Sequence, residues 1–327
     1  METLRVTQFI RTPDESFAGL KDFDHPPRYH GWQDLRQHYV DVGPRDAPVM
    51  LLLHGMPTWA YLYRDVIPRL VAAGYRCIAP DHLGFGRSDK PVDIHWYAIA
   101  RHVEILTSLI VALDLQRVTL VCQDWGGPIG LAQAVMMPDR FERLIIMNTW
   151  LHHPEYEYTA AIRSWNRNWH EGGLFCRPCP EIGLLMVLSS GLAAREVIVP
   201  ALVSGKPPHL AGRAADIYDG FSAPFRGLSD EAYNGLRRFP LSIPFDSYHN
   251  GNGAAQTLHY RVLLGWTKPA HFVWGCADDV FTESWGRSWA GRMNAGFDAI
   301  DAGHFLQNTH GSEVAERVLR RITEETR

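Results

Sequence analysis

Val118-Thr-Leu-Val-Cys-Gln-Asp124-Trp-Gly-Gly-Pro-Ile-Gly130 is an apolar run, a sharp turn and then a stretch of small residues. The run has the length and character of a buried strand, and the small residues after it suit a helix that must approach that strand closely. Asp124 stands on the turn between them. A carboxylate there has two readings, a cap on the following helix or a nucleophile held at the end of a strand.

Working outward, apolar runs at residues 35–41, 49–53, 75–79, 144–147, 272–274 and 297–300 are expected to be further strands. Helical patterns fall between them. Residues 61–73 stop at Gly74, and in 97–113 Ile99, Val103, Leu106, Ile110 and Leu113 recur at three- and four-residue steps. From Ser312 a closing helix carries Ala315, Val318, Leu319 and Ile322 on one side. Strands alternating with helices predict an α/β fold with a mostly parallel central sheet covered by helices. Residues 150–244 break the alternation, being rich in Pro, Gly, Trp and Tyr with no clear strand. They are expected to form a helical cap, or lid, inserted into a core made of residues 1–149 and 245–327. Such an insertion roofs the strand ends, where open α/β sheets bind ligands.

Composition narrows the function. The 327 residues are 46% hydrophobic and 21% charged, a folded globular profile. A net charge of −4 offers no field for gripping phosphate backbones, so nucleic acid is not expected as a partner. The N-terminus lacks an apolar signal core, and the longest uncharged apolar stretch, 182–194, is too short to span a bilayer. That stretch reads as a buried helix or lid element, and the protein as cytoplasmic with no membrane partner. Five scattered cysteines do not form a disulfide framework. Cys176-Arg-Pro-Cys179 lacks the second ligand pair a zinc site wants, so both are taken as free thiols, and no metal or cofactor is expected.

Around Asp124 the pattern is similar to the Gly-x-Ser-x-Gly turn of α/β-hydrolases, with Asp at the nucleophile position, Gly126 retained and Cys122 in place of the upstream Gly. His54-Gly55-Met56-Pro57 follows residues 49–53, where those hydrolases place an oxyanion loop. This assigns the backbone N–H groups of Met56 and Trp125 to the hole. Asp278, after residues 272–274, and His304, in Asp301-Ala-Gly-His304, complete the order nucleophile, acid, histidine. Asp278 suits the acid better than Asp279 by its distance from Gly275.

His54-Gly-Met-Pro-Thr-Trp-Ala-Tyr-Leu-Tyr-Arg64, Pro80-Asp-His-Leu-Gly-Phe-Gly-Arg-Ser-Asp-Lys-Pro91, Gln123-Asp-Trp-Gly-Gly127 and Asp301-Ala-Gly-His-Phe-Leu-Gln307 together resemble the haloalkane dehalogenases. The resemblance runs from about residue 10 to the C-terminus and weakens between 150 and 244. It implies displacement of halide by Asp124, an alkyl ester on the protein, and hydrolysis by water that His304 activates with Asp278 orienting the ring. The implied partners are a small hydrophobic halogenated substrate, water and the halide product, on a monomer or small homo-oligomer. Met56 occupies the place of a halide-binding Asn in part of the family and cannot donate from its side chain. The resemblance is therefore to the branch with two tryptophan donors: Trp125 and a lid tryptophan, Trp165, with Trp169 and Trp150 competing and Pro240 lining the halide site. Core packing is the other reading for each tryptophan among the 11. In another branch the acid follows residues 144–147, where this chain has Asn148-Thr149 and no carboxylate. Two rival functions remain. An epoxide hydrolase would use the same three residues with lid tyrosines (Tyr156, Tyr158, Tyr218, Tyr233 or Tyr248) as proton donors. A hydrolase-fold binding protein would use the pocket for a small ligand alone.

Overall fold

The computed structural model describes residues 7–176, 178–245 and 249–325. Eight strands form one sheet: β1 (Arg28–Trp32), β2 (Leu35–Val42), β3 (Val49–Leu53), β4 (Arg76–Pro80), β5 (Val118–Gln123), β6 (Phe141–Met147), β7 (Ala270–Gly275) and β8 (Gly296–Ile300). Their order is β1-β2-β4-β3-β5-β6-β7-β8. Pairs from β4 to β8 are parallel, while β2 runs antiparallel to both β1 and β4. Every residue of β3 and β5 is buried, as expected of central strands covered on both faces. This is the α/β-hydrolase fold.

Two local expectations need correction, and one strand lies where no apolar run points to it. Residues 61–73 are not one helix but a 3-10 turn, Ala60–Tyr63, and a short helix, Ile67–Ala72. Pro68 lacks an N–H and is accepted only in a helix's first turn, so the helix starts beside it. The closing helix begins earlier, at Leu306, and is bent at His310, where φ is −127°. β1 has no apolar run, and its outer position explains why: a half-exposed edge strand needs no second apolar face.

Among the described residues no strand lies between Met147 and Ala270. That stretch holds the helices Ala160–Trp169, Ile182–Ser189, Arg195–Ser204, Gly212–Ser222, Asn234–Leu241 and Gly253–Leu263. The apolar stretch at 182–194 is helical over its first eight residues, and Ile182 to Val187 are buried. Gly183 lets that helix press on Gly212–Ser222, since a Cβ there would sit 2.2 Å from the Tyr218 carbonyl oxygen. The segment is tied to the core beneath it. Trp59 Nε1 donates to the Gly220 carbonyl at 2.9 Å, Thr12 Oγ1 to Pro224 at 2.8 Å, and Asn234 Nδ2 to Val92 at 2.7 Å. Cys176 and Cys179 are free thiols, as are the other three cysteines. No helix is long and apolar enough to cross a membrane among the described residues.

Candidate active site

Parallel strands deliver their carboxyl ends to one edge of the sheet, and the turns after β3, β5, β6, β7 and β8 meet there. The turn after β5 is the tightest. Asp124 has φ +51°, a left-handed conformation that side chains rarely adopt, with its N–H bonded to the Asn148 carbonyl and its own carbonyl taking the Thr149 hydroxyl at 2.6 Å. Strain of this kind persists only where the surroundings enforce it, and it gathers at functional sites. The helix Gly126–Met136 starts two residues on, so its N-terminal end faces the carboxylate.

Two glycines allow this arrangement. A Cβ on Gly126 would lie 2.4 Å from the Leu53 carbonyl oxygen, and one on Gly55 would lie 2.1 Å from Asp124 Oδ1. Into the space left at Gly55 the Met56 N–H donates to Asp124 Oδ1 at 2.7 Å. Gly126→Ala is expected to cost about 1–3 kcal/mol through overpacking against backbone that cannot swing aside. Thermal unfolding would show this as a lower midpoint; an unchanged midpoint would mean that the turn has room to move.

The loop holding Met56 is itself braced. His54 Nδ1 donates to the Gly55 carbonyl at 2.8 Å, and its Nε2 accepts from the His82 N–H at 3.0 Å. Complete burial pushes its proton affinity down and keeps it neutral, as that bonding pattern requires.

His304, after β8, faces two carboxylates. Its Nδ1 lies 2.8 Å from Asp278 Oδ2 and its Nε2 3.6 Å from Asp124 Oδ2. Burial opposes a charge on the ring, but Asp278 and Asp124 outweigh it and push the imidazole up to about 10. Asp278 is buried, whereas Asp279 is exposed. Two residues that the sequence did not single out complete the group. Asn148 Nδ2 donates to Asp278 Oδ2 at 2.9 Å and to the Gly275 carbonyl at 3.0 Å, while its Oδ1 accepts from the Gly275 N–H at 2.8 Å. It stands at the place noted only for lacking a carboxylate, and its amide holds the carboxylate that comes from the next strand. Gln123 Nε2 lies 2.9 Å from His304 Nε2.

A cavity of about 240 Å³ opens on these groups. Asp124, Asp278 and His304 line it with Trp125, Trp150, Trp165, Met56 and apolar side chains including Ile162, Ile243, Val280 and Phe281. It is smaller than the ~300–1,000 Å³ of sites that take drug-sized ligands. Trp165 reaches it from the helix Ala160–Trp169, capped by the Thr159 hydroxyl. Trp150 packs edge-on to Trp125 with ring centroids 4.7 Å apart, and its buried indole N–H has no hydrogen-bond partner among the described residues. Trp169 is not a lining residue; it packs on Trp165 and Phe175. Pro240 is not one either. It is buried in the helix Asn234–Leu241, and the neighbouring Phe239 ring is the one that meets Trp125, at 5.5 Å. Of the tyrosines between residues 150 and 244 and just beyond, Tyr156, Tyr158, Tyr218 and Tyr233 are absent from the lining, and Tyr248 lies outside the described residues. Among the described residues no three His, Cys, Asp or Glu side chains gather as a metal site would require.

Known proteins share both fold and sequence with this chain. A family model described as alpha/beta hydrolase fold matches residues 48–173. A haloalkane dehalogenase of Psychrobacter cryohalolentis is 36% identical over 98% of this chain and 100% of its own length. The chain belongs to the haloalkane dehalogenase family. A second member, from Mycolicibacterium paratuberculosis, is 35% identical over 95% of this chain and 97% of its own. Among solved structures, the tetrameric haloalkane dehalogenase DpaA from Paraglaciecola agarilytica superposes with a TM-score of 0.82 at 32% identity, covering 95% of this chain and 97% of that one.

Proposed function

We propose that the protein hydrolyses short haloalkanes to alcohol, halide and a proton, and that residues 150–244 form the lid over the cavity where this occurs. The observation that carries the reading is Asp124 itself: a carboxylate on a left-handed turn, one oxygen held by the Met56 N–H, the other facing His304 in an apolar cavity.

Asp124 Oδ2 attacks the halogen-bearing carbon from the side opposite the halide. The C–O bond forms as the carbon–halogen bond breaks, and the halide leaves with the bonding pair. Water then adds to the ester carbonyl carbon while His304 Nε2 takes its proton and Asp278 stabilises the imidazolium through Nδ1–H. Oδ1, already against the Met56 N–H, carries the developing negative charge, with the Trp125 N–H as second donor. Collapse breaks the bond to the alkoxide, which takes back the proton held on His304 Nε2 and leaves as the alcohol. Asp124 then loses the remaining hydroxyl proton to solvent, which restores its carboxylate and supplies the released proton. A serine at position 124 would leave an ether with no carbonyl for water to attack.

Trp125 and Trp165 are the proposed halide donors: an indole N–H donates without offering an acceptor that would repel the anion. Trp150 competes, because its buried N–H beside Trp125 lacks a partner among the described residues. Trp165→Phe is expected to weaken bromide binding about tenfold, the size of one hydrogen bond to a charge, read from quenching of tryptophan fluorescence. Unchanged quenching there, with loss in Trp150→Phe, would transfer the role to Trp150.

The reaction is tested by incubating the protein with 1,2-dibromoethane, 1-bromobutane and styrene oxide while following bromide, proton and diol. Bromide and proton released together from the bromoalkanes support the reading. Diol from the epoxide without bromide from either bromoalkane would replace it with epoxide hydrolysis, against which the tyrosine-free lining of the described cavity already weighs.

A further inference from the structure

Gln123 closes β5 immediately before Asp124, and its side chain is fully buried. Its amide nitrogen is 2.9 Å from His304 Nε2 and 3.2 Å from the His304 carbonyl oxygen. A carbonyl only accepts, so the nitrogen end of the amide must be the one that faces it. The same NH₂ group then has its second hydrogen for Nε2. That contact is favourable only if Nε2 carries a lone pair, which leaves Nδ1 as the protonated nitrogen, donating to Asp278 Oδ2 at 2.8 Å. Asp124 Oδ2, at 3.6 Å, is beyond the ~2.7–2.9 Å of a charge-assisted hydrogen bond. The amide is therefore the nearer partner of Nε2.

We infer that Gln123 is a positioning residue for the base: its amide donor opposes the second proton on His304, favours the Nδ1–H tautomer over Nε2–H whenever the ring is neutral, and points at the Nε2 lone pair until water replaces the amide there. The charged groups that face the imidazole work the other way. Asp278 approaches from the turn after β7 and Asp124 from the turn after β5; Asp279 lines the cavity from an exposed position, and the Phe281 and Phe305 rings cover the remainder. Two carboxylates favour an imidazolium, which has no lone pair to offer. Gln123 is the donor set against them. Once Asp124 is an ester it carries no charge, and Gln123 then opposes Asp278 alone, at the step where a base is needed.

This inference rests on the proposed role of His304 as base, and the two fail in different ways. Wild-type protein, Gln123→Met and Gln123→Glu are compared by nitrogen NMR titration of His304, its signal identified by loss in His304→Gln, and by turnover of 1,2-dibromoethane against pH. In Gln123→Met, similar in shape but without the donor, the His304 midpoint and the acidic limb of turnover are expected to rise by about one unit, a tenfold shift in the proton equilibrium. The shift should be larger in Gln123→Glu, and turnover should recover at alkaline pH in both. A His304 midpoint that coincides with wild type in a folded variant, or a loss of rate equal at every pH, would overturn the inference. Wild-type protein alone supplies a check that needs no variant: neutral His304 should carry its proton on Nδ1, and a proton on Nε2 would equally overturn it. Absence of bromide release from wild type would instead remove the base reading beneath it.

Discussion

His304→Gln should release about one bromide per protein molecule from 1,2-dibromoethane and then stop. The first step needs a carboxylate, a halide site and an in-line approach, all of which the variant keeps. The second needs a base at Nε2, for which a glutamine amide is no substitute. Turnover should fall by about 10²–10⁴-fold, the usual worth of a positioned general base. Intact-mass spectrometry would then find the protein heavier by one bromoethyl group, and digestion would locate it on the peptide containing Asp124. Continued turnover near the wild-type rate would show that another group activates the water. Absence of both burst and adduct would show that no ester forms.

Asp124→Ala should abolish the burst as well, lowering bromide release by at least ~10⁴-fold, because no other carboxylate can take its place at the turn. Asp278 is the nearest alternative, but one of its oxygens is occupied by His304 and Asn148 and the other accepts the Val280 N–H at 2.7 Å. Folding should be retained, since the backbone bonds from Asn148 and Thr149 to residue 124 do not involve its side chain. Comparing the two variants separates the steps: one bromide with His304→Gln, none with Asp124→Ala. If Asp124→Ala released bromide at the wild-type rate, the covalent route would be wrong whatever the fold.

What could be read in advance follows from how locally each feature is determined. β3 and β5 are buried on both faces, so their apolar runs are visible without any knowledge of neighbours. β1, with the sequence Arg-Tyr-His-Gly-Trp, has no such run, and it joins β2 through Gln33 in a left-handed conformation that Gln seldom signals. Asp124, Asp278 and His304 were marked by chain order and by the turns that carry them. Asn148 and Gln123 were not, because an amide becomes informative only when separate strand ends bring it a partner. Asn148 bonds groups from β7 and the turn after it, and Gln123 bonds a residue after β8. The tryptophans stayed ambiguous for a similar reason: which indole reaches the cavity depends on how helices 160–169 and 234–241 pack, not on spacing along the chain. Pro240 shows the limit, since its segment lies next to Trp125 but the contact belongs to Phe239.

The hydrogen bonds from Trp59, Thr12 and Asn234 fasten one side of the helical segment to the core, and Gly220 packs so closely on the Tyr61 ring that a Cβ would lie 2.1 Å from it. That side cannot swing away as a hinged door without breaking several buried bonds at once. Ile162, Ile243 and Val280 line the cavity with aliphatic side chains that no hydrogen bond can fix, so passage beside them would leave those bonds intact. Side-chain rotation there takes ps–ns and loop displacement ns–μs, against μs–ms for whole-domain opening. Exchange by such small movements would favour compact, uncharged molecules, so molecular girth would filter substrates before chemistry does.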